Sequence, residues 1–159
     1  MPHKAIDIAN AVLCLSNPNI GDIVSNLKLQ KLLYYIQGFH IAFFDEPLFD
    51  DTIEAWTFGP VVPNVYHHFK DYGCGAIPRP ANCDCGVVPV PSSYQGEELS
   101  DVAIKLIDEI YRDYGQFSAF KLMEMTHSEP PWINARKTTN NTISHQALKD
   151  YFMTLIEDE

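Results

Sequence analysis

Positive charge is scarce in this chain. Its 159 residues hold 11 Lys and Arg against 21 Asp and Glu, a formal charge of -10, and the isoelectric point falls near 4.9. Binding a phosphate backbone requires clustered cations that displace counterions, so the composition argues against a nucleic-acid partner and favours a basic protein. Long hydrophobic runs are missing too. The longest, such as 11–15 and 32–36, fall far short of the roughly 20 residues needed to cross a bilayer. No membrane partner is expected. Asp7 interrupts the apolar stretch that a secretory signal would need, which makes the cytoplasm the expected location. In a reducing compartment, Cys14, Cys74, Cys83 and Cys85 are expected as thiols. The sequence holds no G-x-S-x-G elbow, no G-x-x-x-x-G-K-[ST] loop and no H-E-x-x-H.

What is present suffices for one core. Hydrophobic residues make up 46% and aromatics 12%, and a chain of this size buries about two-thirds of its unfolded surface. The reading is a mainly α, compact multi-helix single domain over 1–159, with a small extended or β patch around 53–58 and an edge strand at 87–90. Apolar residues at 5, 8, 9, 12 and 13 predict a first helix. Ser25 or Asn26 caps a second, running to about Phe44, with Leu29, Leu32, Leu33, Ile36, Phe39 and Phe43 at helical spacing. Gly38 interrupts it, and close passage of another backbone would account for a residue costing about 1 kcal/mol against alanine. Gly59-Pro60 is expected to end the extended segment, and Pro63 to open a helix through Tyr72 stopped by Gly73.

Four prolines between 74 and 96 predict an irregular loop. Beyond it, Ser100 caps a helix to Tyr114 with Val102, Ala103, Leu106, Ile107 and Ile110 inward. Ser118 caps the next, Pro130-Pro131 opens a short one, and Ser144 caps the last.

Two constellations invite a chemical reading. Cys74, Cys83 and Cys85 with His67 or His68 could clamp a zinc ion, but Cys83-Asp84-Cys85 leaves one residue between thiols where structural sites leave two to four. His127-Ser128-Glu129 matches the H-x-E of zinc deaminases, yet no cysteine follows Cys85 to complete that site. Local hydrogen bonds fixing the turn before Pro130 are the plainer role for His127 and Glu129. A metal-dependent hydrolase is thus the weakest reading; no metal and no cofactor are assigned. The acidic residues at 97, 98, 101, 108, 109 and 113 read as a solvated face that would speed association with a basic protein.

Three stretches together carry a family resemblance. The first is LKLQKLLYY at 27–35; the second is Glu54-Ala55-Trp56 with Gly59-Pro60-Val61-Val62-Pro63 and Tyr66; the third is Thr126-His127, Glu129, Pro131-Trp132 and Ala135-Arg136. In this order they resemble the Panacea family, also called SocA-like or GepA-like, found in antitoxins and phage-associated proteins. The resemblance implies a helical domain that is not an enzyme and neutralises a cognate toxin, commonly encoded beside it, by direct binding. One branch resembles instead a proteolytic adaptor handing its toxin to an AAA+ protease. The motif positions offered as partner-binding are Lys28, Gln30, Lys31, Tyr34, Trp56, Gly59, Pro60, Tyr66, His127, Glu129, Trp132 and Arg136, with none catalytic.

Physical chemistry divides these residues. Large apolar members, namely Leu29, Leu32, Trp56, Val62, Tyr66 and Trp132, read as core packing. Lys31 and Arg136 are the polar clues. Their favoured role is to reach an internal carboxylate such as Glu54 or Glu129, the other being to meet a partner's surface.

Overall fold

In the computed structural model, residues 2–16, 21–80 and 99–157 are described. Their order is α1 (Ala5–Leu15), α2 (Asn26–Phe44), β1 (Ile53–Trp56), β2 (Gly59–Val61), α3 (Pro63–Phe69) with a 3-10 turn (Lys70–Tyr72), α4 (Asp101–Tyr114), α5 (Ala119–His127), α6 (Pro130–Ala135), β3 (Thr142–Ile143) and α7 (His145–Glu157). The fold is mainly α, as expected.

Helix α2 is the central strut, packing on α1, α3, α4, α5, α7 and β2. Its start is set by Ser25, whose Oγ accepts from Lys28 N at 3.3 Å, the side chain taking one of the N–H groups that a helix start leaves without a partner. Ser100, Ser118 and Ser144 do the same for Ala103, Lys121 and Ala147. Three of these caps stand where the sequence places them, and for α2 the structure selects Ser25 over Asn26. Because α2 is covered on several sides, Leu29, Leu32, Leu33, Tyr34, Tyr35 and Ile36 are all buried. Helix α4 meets solvent along one face, and there Val102 is 55% exposed rather than inward.

The crossing of α2 and α7 explains Gly38. Any Cβ there would overlap the ring of Phe152, itself fully buried, so the close neighbour is an aromatic side chain and not the backbone expected. Phe152 then meets Tyr34 edge-on at 5.5 Å and Phe39 at 4.9 Å, arrangements favoured by the ring quadrupoles.

The extended patch is larger than the sequence reading allowed. Gly59-Pro60 does not end the segment; it opens β2, which returns along β1 after the two-residue loop Thr57-Phe58, pairing Trp56 with Gly59 and Glu54 with Val61. Strand β3 adds to the other side of β1, giving the antiparallel order β2-β1-β3. Pro60 is tolerated because β2 is an edge strand, where a missing N–H breaks no ladder. The strand expected at 87–90 lies outside the described residues.

Cys74 is free and exposed. Among the described residues no helix is long and apolar enough to cross a membrane.

Replacing Gly38 by alanine tests the crossing. The overlap with Phe152 should cost about 1–3 kcal/mol, outweighing the ~1 kcal/mol gain in helix propensity; urea denaturation should therefore show a lower midpoint than the parent.

Candidate functional site: a clamped hairpin with an aromatic face

The three motifs meet around the β1–β2 hairpin. On the outer edge of β2, the Pro60 carbonyl accepts from Lys31 Nζ at 3.0 Å and the next outward group, Val62 N–H, donates to Gln30 Oε1 at 2.9 Å. Two adjacent side chains of α2 thus satisfy the groups an edge strand would leave open. The remaining amide capacity of Gln30 is used as well. Its Nε2 donates to Asn26 Oδ1 at 2.8 Å, and Asn26 Nδ2 donates to the Tyr66 carbonyl at 3.0 Å, tying the start of α2 to α3.

Gly59 is where the strand passes closest to α2. Its φ is +109°, and a Cβ would lie 2.5 Å from Lys31 Cε and 2.9 Å from Thr126 Oγ1. Only glycine meets both demands, the positive φ and the space. Lys31 is fully buried with no carboxylate bonded to it. Removal from water disfavours its charged form and lowers it from the usual lysine value to about 7. The internal role expected for Lys31 is therefore correct, but its partner is a backbone carbonyl, not Glu54 or Glu129.

Glu129 lies at the N-cap position of α6 and is buried. Its two oxygens accept from Tyr34 Oη at 2.9 Å and Tyr35 Oη at 2.8 Å, and the Tyr151 hydroxyl of α7 is near enough to favour the anion too. Burial raises the carboxyl above its ordinary value, and the three hydroxyls partly offset this by stabilising the anion. Instead of fixing a local turn, Glu129 joins α6 to α2 across 94 and 95 residues of chain.

From α6, two side chains grip the opposite strand. Trp132 Nε1 donates to the Trp56 carbonyl at 2.8 Å and Arg136 Nη1 to the Ala55 carbonyl at 3.2 Å. Arg136 likewise meets a carbonyl where a carboxylate was expected; its guanidinium also lies 5.7 Å from the Trp132 ring centroid. His127 stacks on the same indole, centroids 4.2 Å apart. Lys28 reaches the Gly115 carbonyl at the end of α4, and burial lowers its pKa despite nearby Asp22.

What faces outward is aromatic. Trp56, Tyr66 and Trp132 are only partly buried; Trp132 still packs against the core, Trp56 and Tyr66, contrary to expectation, do not belong to it, and Leu29, Leu32 and Val62 are buried in it. Trp56 and Tyr66 meet edge to face at 5.1 Å, with His67 beside them. The loop residue Phe58 is 63% exposed. Among the described residues there is no group of three or more His, Cys, Asp and Glu placed to hold a metal; Cys83 and Cys85 lie outside them.

Sequence reasoning passed over Gln37. Its Oε1 accepts from Leu48 N at 2.8 Å and its Nε2 donates to the Phe49 carbonyl at 2.8 Å, holding the chain between α2 and β1. Its signal was available: a polar residue two helical turns beyond Gln30 in an apolar helix. Phe58 and Tyr35 carried no comparable mark.

With this geometry in hand, comparison with known proteins is decisive for the family. Residues 29–133 match the family described as "Antitoxin SocA-like, Panacea domain". The chain is also similar to Antitoxin SocA of Caulobacter vibrioides (strain NA1000 / CB15N), 33% identical over 136 residues that span 82% of this chain and 70% of that protein. This chain belongs to the SocA-like antitoxin family. No solved structure matches it.

Lys31→Met should flatten one part of the stability profile. The folded state lowers this lysine to about 7, so between about pH 7 and its usual 10.5 the unfolded chain carries a proton that folding must expel. The stability contributed by this group is present in full only above pH 10.5 and is lost as pH falls toward 7. Denaturation midpoints from pH 7 to 10 should rise for the parent and change less for Lys31→Met.

Proposed function

We propose that this chain neutralises a cognate protein toxin, encoded by a neighbouring gene, by binding it directly, in the cytoplasm and as one domain over 1–159. It makes and breaks no covalent bond in doing so. Family membership supports the antitoxin role. The observation that carries direct binding is the outward aromatic face. Half-buried Trp56 and the exposed Phe58 stand on a hairpin whose backbone is held from both sides, and half-buried Tyr66 of α3 packs against Trp56. Large aromatics held rigidly lose little entropy on contact, which is why such residues dominate binding energy at protein interfaces. The net charge of -10 would speed the approach of a basic partner.

Co-expression with the adjacent gene product tests this. That product should arrest growth alone, growth should return when this chain is present, and the two should purify together. Phe58→Ala, a change at an exposed loop position, should weaken the complex tenfold or more. A harmless neighbour that forms no complex would refute the reading. Toxin half-life separates mechanisms: masking leaves it unchanged, whereas a half-life shortened by this chain transfers the reading to an adaptor for an AAA+ protease.

A further inference from the structure

Beside the hairpin tip lies a cleft of about 250 Å³, walled by Leu27, Trp56, Phe58, Val61, Tyr66 and Cys74. We infer that this cleft receives an arginine side chain from a basic protein partner. The inference rests on the direct-binding reading above and assigns the chemistry of one contact within it.

Size speaks first. Pockets for drug-sized ligands run to roughly 300–1,000 Å³, so this space suits one long side chain rather than a cofactor. The walls carry no formal charge, and the polar residues among them, Asn26 and Gln30, have their amide groups engaged within the protein. A guest therefore meets aromatic and aliphatic side chains.

Ring electrostatics then choose the guest. The face of an indole or phenol ring carries negative potential and attracts a cation within about 6 Å. On Trp56 this is reinforced. Its Nε1–H donates to the Glu54 carboxylate at 2.9 Å, placing an anion at the edge of the indole and pushing electron density into the ring. A neutral guest would gain nothing from that arrangement or from the surplus of ten negative charges on the chain. Arginine fits better than lysine, because its planar, weakly hydrated guanidinium stacks on rings and its stem covers apolar wall. The molecule already uses the same pairing next door, where Arg136 lies over Trp132. Trp56 has no such cation of its own among the contacts of the described residues, its ring neighbours being Tyr66 and His67.

The test titrates acetyl-Gly-Arg-Gly-amide into the 15N-labelled full chain and follows the indole N–H signal of Trp56, with that of Trp132 as the internal reference. The citrulline peptide, nearly identical in shape but uncharged, is the comparison. The arginine peptide should bind at least fivefold tighter, with added salt weakening it, and Phe58→Leu should lose about fivefold of that affinity while keeping apolar area. Equal binding of the two peptides, no movement of the Trp56 signal, or tighter binding of a leucine-centred peptide would overturn the assignment. Growth rescue by the chain in co-expression, persisting through such a failure, would mean that the cation is wrong and direct binding still stands.

Discussion

The structure depends on how an edge strand is closed. A three-residue strand at the rim of a sheet leaves polar backbone groups facing outward, and each buried without a partner costs about 1–3 kcal/mol. Here Pro60 removes one donor outright, Lys31 takes the Pro60 carbonyl and Gln30 takes the Val62 N–H. Those two side chains are adjacent on α2, so a single helix placement satisfies both. Close approach of helix and strand follows from that placement, and with it the need for glycine at 59. Burial at that contact also lowers the Lys31 pKa to about 7, since removal from water disfavours the charged form.

Glu129 couples this clamp to the one on the far strand. Trp132 and Arg136 can hold the carbonyls of Trp56 and Ala55 only if α6 is fixed relative to α2. The hydroxyls of Tyr34 and Tyr35 provide that fixing, since they come from successive residues of α2 and close on the two oxygens of one carboxylate. Burying a carboxylate is costly unless hydrogen bonds replace its water. Tyr35 also stacks on Tyr114 at 4.3 Å, so the same residue carries α4 into the network, and burial with the nearby Glu129 anion raises the Tyr114 hydroxyl to about 12.

Local chemistry was legible in the sequence; long-range pairing was not. Three serine caps could be read, and the fourth narrowed to Ser25 or Asn26, because a cap is decided within three residues of itself. The hairpin could not, because Gly59-Pro60 looks like a terminator and becomes a strand only when α2 supplies its missing partners. Strand β3, two residues long, exists through its pairing with residues 53 and 54, some ninety positions earlier. The motif residues were sorted only in part for a related reason. Size suggested that the tryptophans and Tyr66 were core, and charge suggested that Lys31 would meet an internal carboxylate, where the fold gives it a backbone carbonyl. In the fold the polar set of Gln30, Lys31 and Glu129 is buried, while Trp56, Tyr66 and Trp132 are partly open to solvent. Hydropathy ranks a residue by its transfer cost alone, and that ranking fails where a hydrogen-bond partner waits inside.

This division has a consequence for what the hairpin can present. Both clamps hold backbone atoms: the carbonyls of Ala55, Trp56 and Pro60 and the N–H of Val62. Backbone groups are the same whatever the side chain, so the scaffold constrains the path of the hairpin without constraining the loop residues Thr57 and Phe58, both exposed. Gly59 and Pro60 cannot change, since one must admit Lys31 and the other must lack a donor at the rim. Side chains at 57 and 58 bear no such load. A surface built this way combines a fixed frame with a free tip, and the fixed frame is what lets the aromatic residues there meet a partner with little ordering still to be done.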